Sequence, residues 1–215
     1  MKHTIRTVVI VAIEVFICFT FSTAQTLTDI TLPAPRTEGG KPLMQVLKER
    51  KSGREYSKKK LEPQQLSDLL WAAFGINRPD GKRTAPSARD CRELEIYAVM
   101  QEGVYRYNAE KNILEQVAAG DFRKMTGAQK FVGSAPLNLV YVADLDKMKG
   151  SESDKALYSS ADVGFVGQNV YLFCASKGLS TVIRGWLDRD KCAKTLKLTE
   201  NKKVVLAQSV GFPKE

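Results

Sequence analysis

Five consecutive residues, Arg50-Lys51-Ser52-Gly53-Arg54, gather three cations, a hydroxyl and a glycine into one short segment. Planar guanidinium groups grip phosphate oxygens in bidentate fashion, a lysine adds a point charge, and Ser52 with the Gly53 backbone can donate further hydrogen bonds. The chemistry that this pattern suits is the holding of a phosphate-bearing ligand. A solvated surface turn has the same composition, so the pentapeptide alone leaves both readings open. Further clusters follow in a fixed order: Arg83-Thr84-Ala85-Pro86-Ser87-Ala88, Gln168-Asn169, Gly178-Leu179-Ser180, Val182-Ile183-Arg184-Gly185 and Gly211-Phe212-Pro213.

What is missing narrows the chemistry. The only histidine is His3, and it falls in residues 1–24, which read as a secretory signal peptide. Lys2 and Arg6 precede an apolar run from Val8 to Phe21, and Ser22-Thr23-Ala24 supplies small residues before Gln25. The run is shorter than the roughly 20 residues of a spanning helix and carries Glu14 at its middle, so export to the periplasm is expected, without a stable membrane anchor. Loss of Lys2, His3, Arg6 and Glu14 takes the formal charge from +9 to +8 and leaves no imidazole. A Ser-His-Asp triad, a Cys-His pair and a histidine-ligated zinc are thereby excluded. Cys91, Cys174 and Cys192 fit no metal-ligand spacing, so no metal is expected; their odd number implies a free thiol or a bridge between subunits. Cys174, in an apolar helical stretch, reads as a core residue. The cations are scattered apart from Lys58-Lys59-Lys60, with no interleaved aromatics, and nucleic acid is not an expected partner.

The elements that would position these clusters can be read from periodicity. A chain of 215 residues is one ordinary domain, here residues 41–215. Residues 25–40, with Pro33, Pro35, Gly39 and Gly40, read as an extended N-terminal arm, not a packed element. Pro42–Arg50 has the apolar spacing of one helix face, and Pro63–Phe74 reads as a second helix burying Leu66, Leu69, Leu70 and Ala73 before Gly75. Leu94–Met100 is a strand, Gly103 turns, and Val104–Tyr107 begins the return. Pro136–Val142 has the apolar density of a strand inside a sheet. Asp154–Lys177 is the longest helix, apolar on several faces, and therefore expected to be buried nearly all round, as a central helix or a subunit interface. Gly178 caps it, and strands over Thr181–Trp186 and Lys203–Val210 flank a short helix capped by Asp188 or Asp190. The class is α+β.

From about Lys41 to Pro213 the ordered clusters resemble the nitroreductase family of flavin mononucleotide (FMN) enzymes. Arg83–Ala88 followed by an apolar strand, Gly103-Val104-Tyr105-Arg106-Tyr107 and a second strand through Leu114 is most similar to the thiazoline-oxidase-like dehydrogenase branch. The resemblance implies a mostly antiparallel sheet wrapped by helices in an intertwined homodimer. It also implies hydride transfer from NAD(P)H or another reduced donor to a small-molecule nitro, quinone or enone acceptor. No catalytic side chain is implied, because the cofactor carries the reactivity. Arg50 and Ser52 would hold the phosphate, Lys51 would lie beside the ribityl or phosphate end, and Arg54 would sit near the N1 and O2 edge. Pro86, Ser87 and Ala88 would pack on the ring, often from the other subunit, and the Arg184-Gly185 backbone would approach N5, where a side chain would hold it off. Gln168 and Asn169 are expected to hydrogen-bond within the core.

The chain departs from the family pattern at Asp90, where many relatives carry asparagine, at Arg184, where an acid is common, and at Lys214-Glu215, where a further basic residue is usual. Two alternatives remain beside the leading one. The first is a peptide-heterocycle dehydrogenase, whose branch uses an adjacent Lys-Tyr pair that is absent here; the second is a non-catalytic flavin-binding dimer, which the altered Asp90 and tail would suit.

Overall fold

The segment Leu137–Asp144 is apolar on both faces, and such a strand is stable only where both faces are covered. In the computed structural model, which describes residues 27–214, it lies inside a seven-stranded sheet. The expected signal peptide falls outside the described residues. In chain order the strands are β1 (Ile30–Thr31), β2 (Leu94–Met100), β3 (Gly103–Asn108), β4 (Ile113–Ala119), β5 (Leu137–Asp144), β6 (Ser180–Arg184) and β7 (Lys202–Gly211). Their spatial order is β1-β4-β3-β2-β5-β7-β6, and each of these pairings is antiparallel.

Four helices complete the α+β class: α1 (Leu43–Glu49), α2 (Pro63–Phe74), α3 (Glu152–Lys177) and α4 (Arg189–Thr195). The two faces of the sheet carry separate cores. Leu137, Leu139 and Tyr141 of β5 join Leu69 and Leu70 of α2 and Val163, Val166 and Val170 of α3. Val140 and Val142 point the other way, onto Cys192 of α4 with Leu187 and Leu196. Side-chain alternation along one strand thus feeds both cores.

Helix ends follow local chemistry. Pro63 occupies the first turn of α2, Glu62 and Gln65 form a capping box, and Gly75 ends the helix. Ser151 and Asp154 cap the start of α3 reciprocally, while Gly178 ends it in the left-handed region at φ 69°. Asp188, one of the two expected candidates, caps α4 by accepting from the Lys191 amide.

Two expectations are corrected. Residues 25–40 were expected to form an arm free of the core. From residue 27 on, the arm is extended, but Ile30–Thr31 pairs with β4, Leu32 is buried, and Asn112 donates to the Leu32 and Pro33 carbonyls. The stretch around Pro33 and Pro35 is held as well, by Gln64 on the Ala34 carbonyl and by Asp68 on the Arg36 amide and guanidinium. Of the two expected settings for helix α3, a central helix does not hold: within one chain Ser159, Asp162, Val163, Val166, Val170, Tyr171 and Cys174 face inward, whereas Leu157, Tyr158 and Phe165 are exposed. Gln168, expected inside, is exposed as well.

Leu139 is fully buried in a central strand. Leu139→Ala is expected to lower stability by about 2–5 kcal/mol, from lost transfer energy plus the cavity left behind, read as a lower midpoint in urea unfolding.

Candidate functional site

The basic turn is set by α1, which stops at Glu49 with the Arg50 amide bonded to the Val46 carbonyl. It is then stitched to the far edge of the sheet. The Gly53 amide donates to the Thr181 carbonyl at 2.9 Å, and the Ser57 amide donates to the Phe212 carbonyl at 2.9 Å. Gly53 lets the turn lie close on β6: a Cβ there would lie 2.0 Å from Ser180 Oγ, so the serine would have to rotate, and 3.2 Å from its Cβ.

Tyr171 of α3 ties these segments together. Its buried hydroxyl accepts from the Ile183 amide at 3.0 Å and pairs with Ser52 Oγ at 2.9 Å, while the Arg50 guanidinium lies 5.3 Å from its ring centroid. Tyr56 adds a second strut, donating to the Gly53 carbonyl at 2.9 Å. Between turn, helix and β6 lies a cleft of about 450 Å³ lined by Lys51, Gly53, Tyr171, Gly178, Ser180 and Pro213, with a Lys41–Glu49 ion pair at its rim. Among the described residues Arg50, Lys51 and Arg54 form no ion pair, although Glu49 is adjacent and occupied by Lys41. Lys51 on the cleft wall and Arg50 against the Tyr171 ring bring uncompensated positive charge to this part of the surface, which favours anions.

Pro86, Ser87 and Ala88 are placed elsewhere. The Ala88 amide donates to Asp162 Oδ2 at 2.8 Å, and Ser87 Oγ accepts from the Arg92 amide at 3.0 Å. Asp162 and Tyr171 are nine residues apart on α3, which is about 13.5 Å along the axis and half a turn around it. They therefore mark opposite edges of the buried stripe, and one chain does not bring the proline turn to the basic turn. Asp90, the departure noted in the sequence, is forked by Arg92 at 2.9 and 2.7 Å. That contact holds the Asp90 carboxyl below its usual range.

Arg184 and Gly185 divide. The Arg184 side chain crosses to the other face of the sheet, only 5% exposed, where it donates to the Thr126 carbonyl and, at 2.7 Å, to Asn138 Oδ1. It cannot contact a ligand in the cleft; only its backbone is available there. No carboxylate accompanies it, and burial lowers its pKa to about 10, still above neutrality. Gly185 has room on the side where a side chain would project: a Cβ there would meet only Leu206, at an ordinary 3.4 Å. Packing within the chain gives no reason for glycine at that position. Cys174 is buried, as expected, and Cys91, Cys174 and Cys192 are all free thiols.

Sequence reasoning missed Tyr171 and Asp162. A signal existed: both are polar residues within the inward-facing spacing of a helix, where a hydroxyl or carboxylate needs a partner.

A family model described as the nitroreductase family matches residues 47–212. A protein of Methanocaldococcus jannaschii named as a nitroreductase is 34% identical over 169 residues, covering 74% of this chain and 85% of the relative. A crystal structure of a protein from Ralstonia eutropha, likewise named as a nitroreductase, is similar with a TM-score of 0.85 and 42% identity, over 89% of this chain and 92% of that one. One from Anabaena variabilis has a TM-score of 0.73 at 22% identity, over 86% of this chain and 42% of that one, a likeness of fold.

Tyr171→Phe leaves the Ile183 amide without its acceptor and Ser52 without its partner. A stability loss of about 1–3 kcal/mol is expected, with faster hydrogen exchange at Ile183; unchanged exchange there would remove Tyr171 from its organising role.

Proposed function

The chain belongs to the nitroreductase family and has its fold, and on that premise we propose that it is a homodimeric, FMN-dependent oxidoreductase passing hydride from a reduced donor to a small nitro, quinone or enone acceptor. The observation that carries the cofactor assignment is the basic turn, whose Arg50, Lys51 and Arg54 form no ion pair among the described residues and whose Lys51 lines the cleft beside β6. A dianionic phosphate suits them, and the residues present fit the group. Gly185 agrees, because its open side leaves the backbone free for the close approach of a flat ring.

FMN, when bound, supplies a ring that accepts hydride and passes it on. The chain's own contribution is position and charge. Arg50 and Ser52 hold phosphate oxygens, Lys51 screens the ribityl end, and Arg54 places positive charge where negative charge gathers on reduction. Tyr171 keeps the turn in register with β6 through Ser52 and the Ile183 amide.

Exposed apolar side chains support the dimer: Leu157, Tyr158 and Phe165 of α3, among polar neighbours, and Leu43, Met44 and Leu47 of α1 are uncovered. Two copies of α3 packed antiparallel about a two-fold axis near Val166 would set the partner's Asp162 level with Tyr171. In the proposed dimer the partner's proline turn would complete the site that one chain leaves open. NAD(P)H is one donor of suitable chemistry; for an exported protein another reduced donor serves the same role.

Purified protein mixed with FMN is expected to bind it and to show flavin absorbance, and donor-dependent bleaching should be reversed by a nitro compound or quinone. Arg50→Ala is expected to weaken FMN binding roughly 10- to 100-fold, the value of one charge-assisted contact of about 1.5–3 kcal/mol. A colourless protein that binds no FMN would end the reading. Phe165→Glu is expected to turn the sedimenting dimer into a monomer and to weaken FMN binding with it; a monomeric parent protein would refute the shared site.

A further inference from the structure

Glu93, immediately before β2, is fully buried, and neither of its carboxylate oxygens has a hydrogen-bond partner. The group it faces is the carboxylate of Asp162 on α3, itself 2% exposed. Two facing carboxylates in a protein interior do not both ionise freely.

The surrounding charges do not resolve the conflict. Lys147, from the turn after β5, is half-exposed and directs its Nζ to the Arg92 carbonyl at 3.5 Å and to Asp144 at 4.0 Å. Arg92 is forked onto Asp90, and Arg89 lies 5.9 Å over the Tyr158 ring. Cys91, on the same turn, has its thiol pushed up by burial and by Glu93. None of these groups bonds to the Glu93 carboxylate.

The same pair holds a strained turn. Asp162 Oδ2 accepts the Ala88 amide at 2.8 Å. Directly after it, Arg89, Asp90 and Arg92 have φ of 54°, 54° and 50°, the left-handed region that residues with a Cβ avoid. A turn with three such residues keeps one conformation only when its surroundings impose it.

We propose that Glu93 and Asp162 hold one proton between them, and that this proton is the latch fixing the Pro86-Ser87-Ala88 turn on α3. Glu93 is thus a positioning residue acting through Asp162. With the proton in place, Glu93 donates to Asp162, and Asp162 accepts the Ala88 amide. When the Glu93 O–H bond breaks and the proton passes to water, two negative carboxylates face each other, Asp162 is driven away, and the Ala88 amide loses its acceptor.

The pH window follows from the direction of the shift. Burial, reinforced by Asp162, raises Glu93 from 4.5 to about 7. Between those values the latched state keeps a proton that the released state gives up, so rising pH favours release. The latch is at full strength below about 4.5, weakens across the window, and has lost its advantage above about 7. Its bearing on a bound ring rests on the proposed function; the latch itself does not.

The test uses the purified protein without flavin, so that its failure is distinct from failure of the FMN reading. Carboxyl carbon NMR should show Glu93 titrating near 7, and an ordinary titration near 4.5 would overturn the proposal. Hydrogen exchange at Ala88, corrected for the intrinsic pH dependence, should lose protection by up to about tenfold per pH unit across the window and then level off. Glu93→Gln, which donates at every pH, should keep Ala88 protected with no pH slope. A wild-type slope in that variant, or a flat wild-type profile, would overturn the proposal.

Discussion

Helix α3 sets the distance between the two halves of the candidate site. It does so because only half of its surface is buried against the sheet. Val163, Val166 and Val170 run along the middle of the inward stripe, each fully buried. At about 25 cal/mol per Å² of apolar surface removed from water, such side chains fix the rotation of the helix far more firmly than any single polar contact. With the rotation fixed, Asp162 and Tyr171 must emerge at opposite edges, half a turn and about 13.5 Å apart. Asp162 takes the proline turn and Tyr171 takes the basic turn and β6.

Two buried charges show how differently the sheet treats its faces. Arg184 crosses the sheet without a carboxylate, yet its guanidinium donates to Thr126 and to Asn138, whose Oδ1 also accepts from Ser209 at 2.6 Å. Neutral acceptors suffice because guanidinium is weakly hydrated and its starting pKa is high; burial brings it down to about 10 without discharging it near neutrality. Glu93 meets another acid instead of a set of dipoles. Burial disfavours the charged form of Glu93 and the facing Asp162 adds to it, raising Glu93 from 4.5 to about 7, so the protonated carboxyl persists toward neutrality.

Much of the fold was legible because its signals are local. The limits of α2 came from Pro63 and Gly75, the end of α3 from Gly178, and β5 from an unbroken apolar run. The basic turn and β6 meeting beside one cleft was legible from residue order. What failed was non-local. Apolar residues around α3 were read as a central helix or a subunit interface; the first does not hold within one chain, and hydrophobicity alone could not choose between them. For Arg184 the sequence suggested a role for the backbone beside Gly185, and it is the side chain's course to the opposite face, onto Asn138, that residue order alone did not show. Glu93 gave no signal in the sequence, since its perturbation comes first from burial and then from Asp162, sixty-nine residues away, and both depend on the tertiary fold.

The departures from the family pattern become coherent once charge is followed by location. Asp90 would trouble an electron-rich ring if it stood free, but Arg92 forks both of its oxygens and cancels the charge within the same turn. Arg184 adds no charge to the cleft, because Thr126 and Asn138 hold it on the opposite face. The local balance beside Tyr171 is therefore set by Arg50 and Lys51, with Glu49 already engaged by Lys41. A phosphate brought there meets cations that no acid in the chain has claimed among the described residues, and their charge is available to it without breaking an existing ion pair.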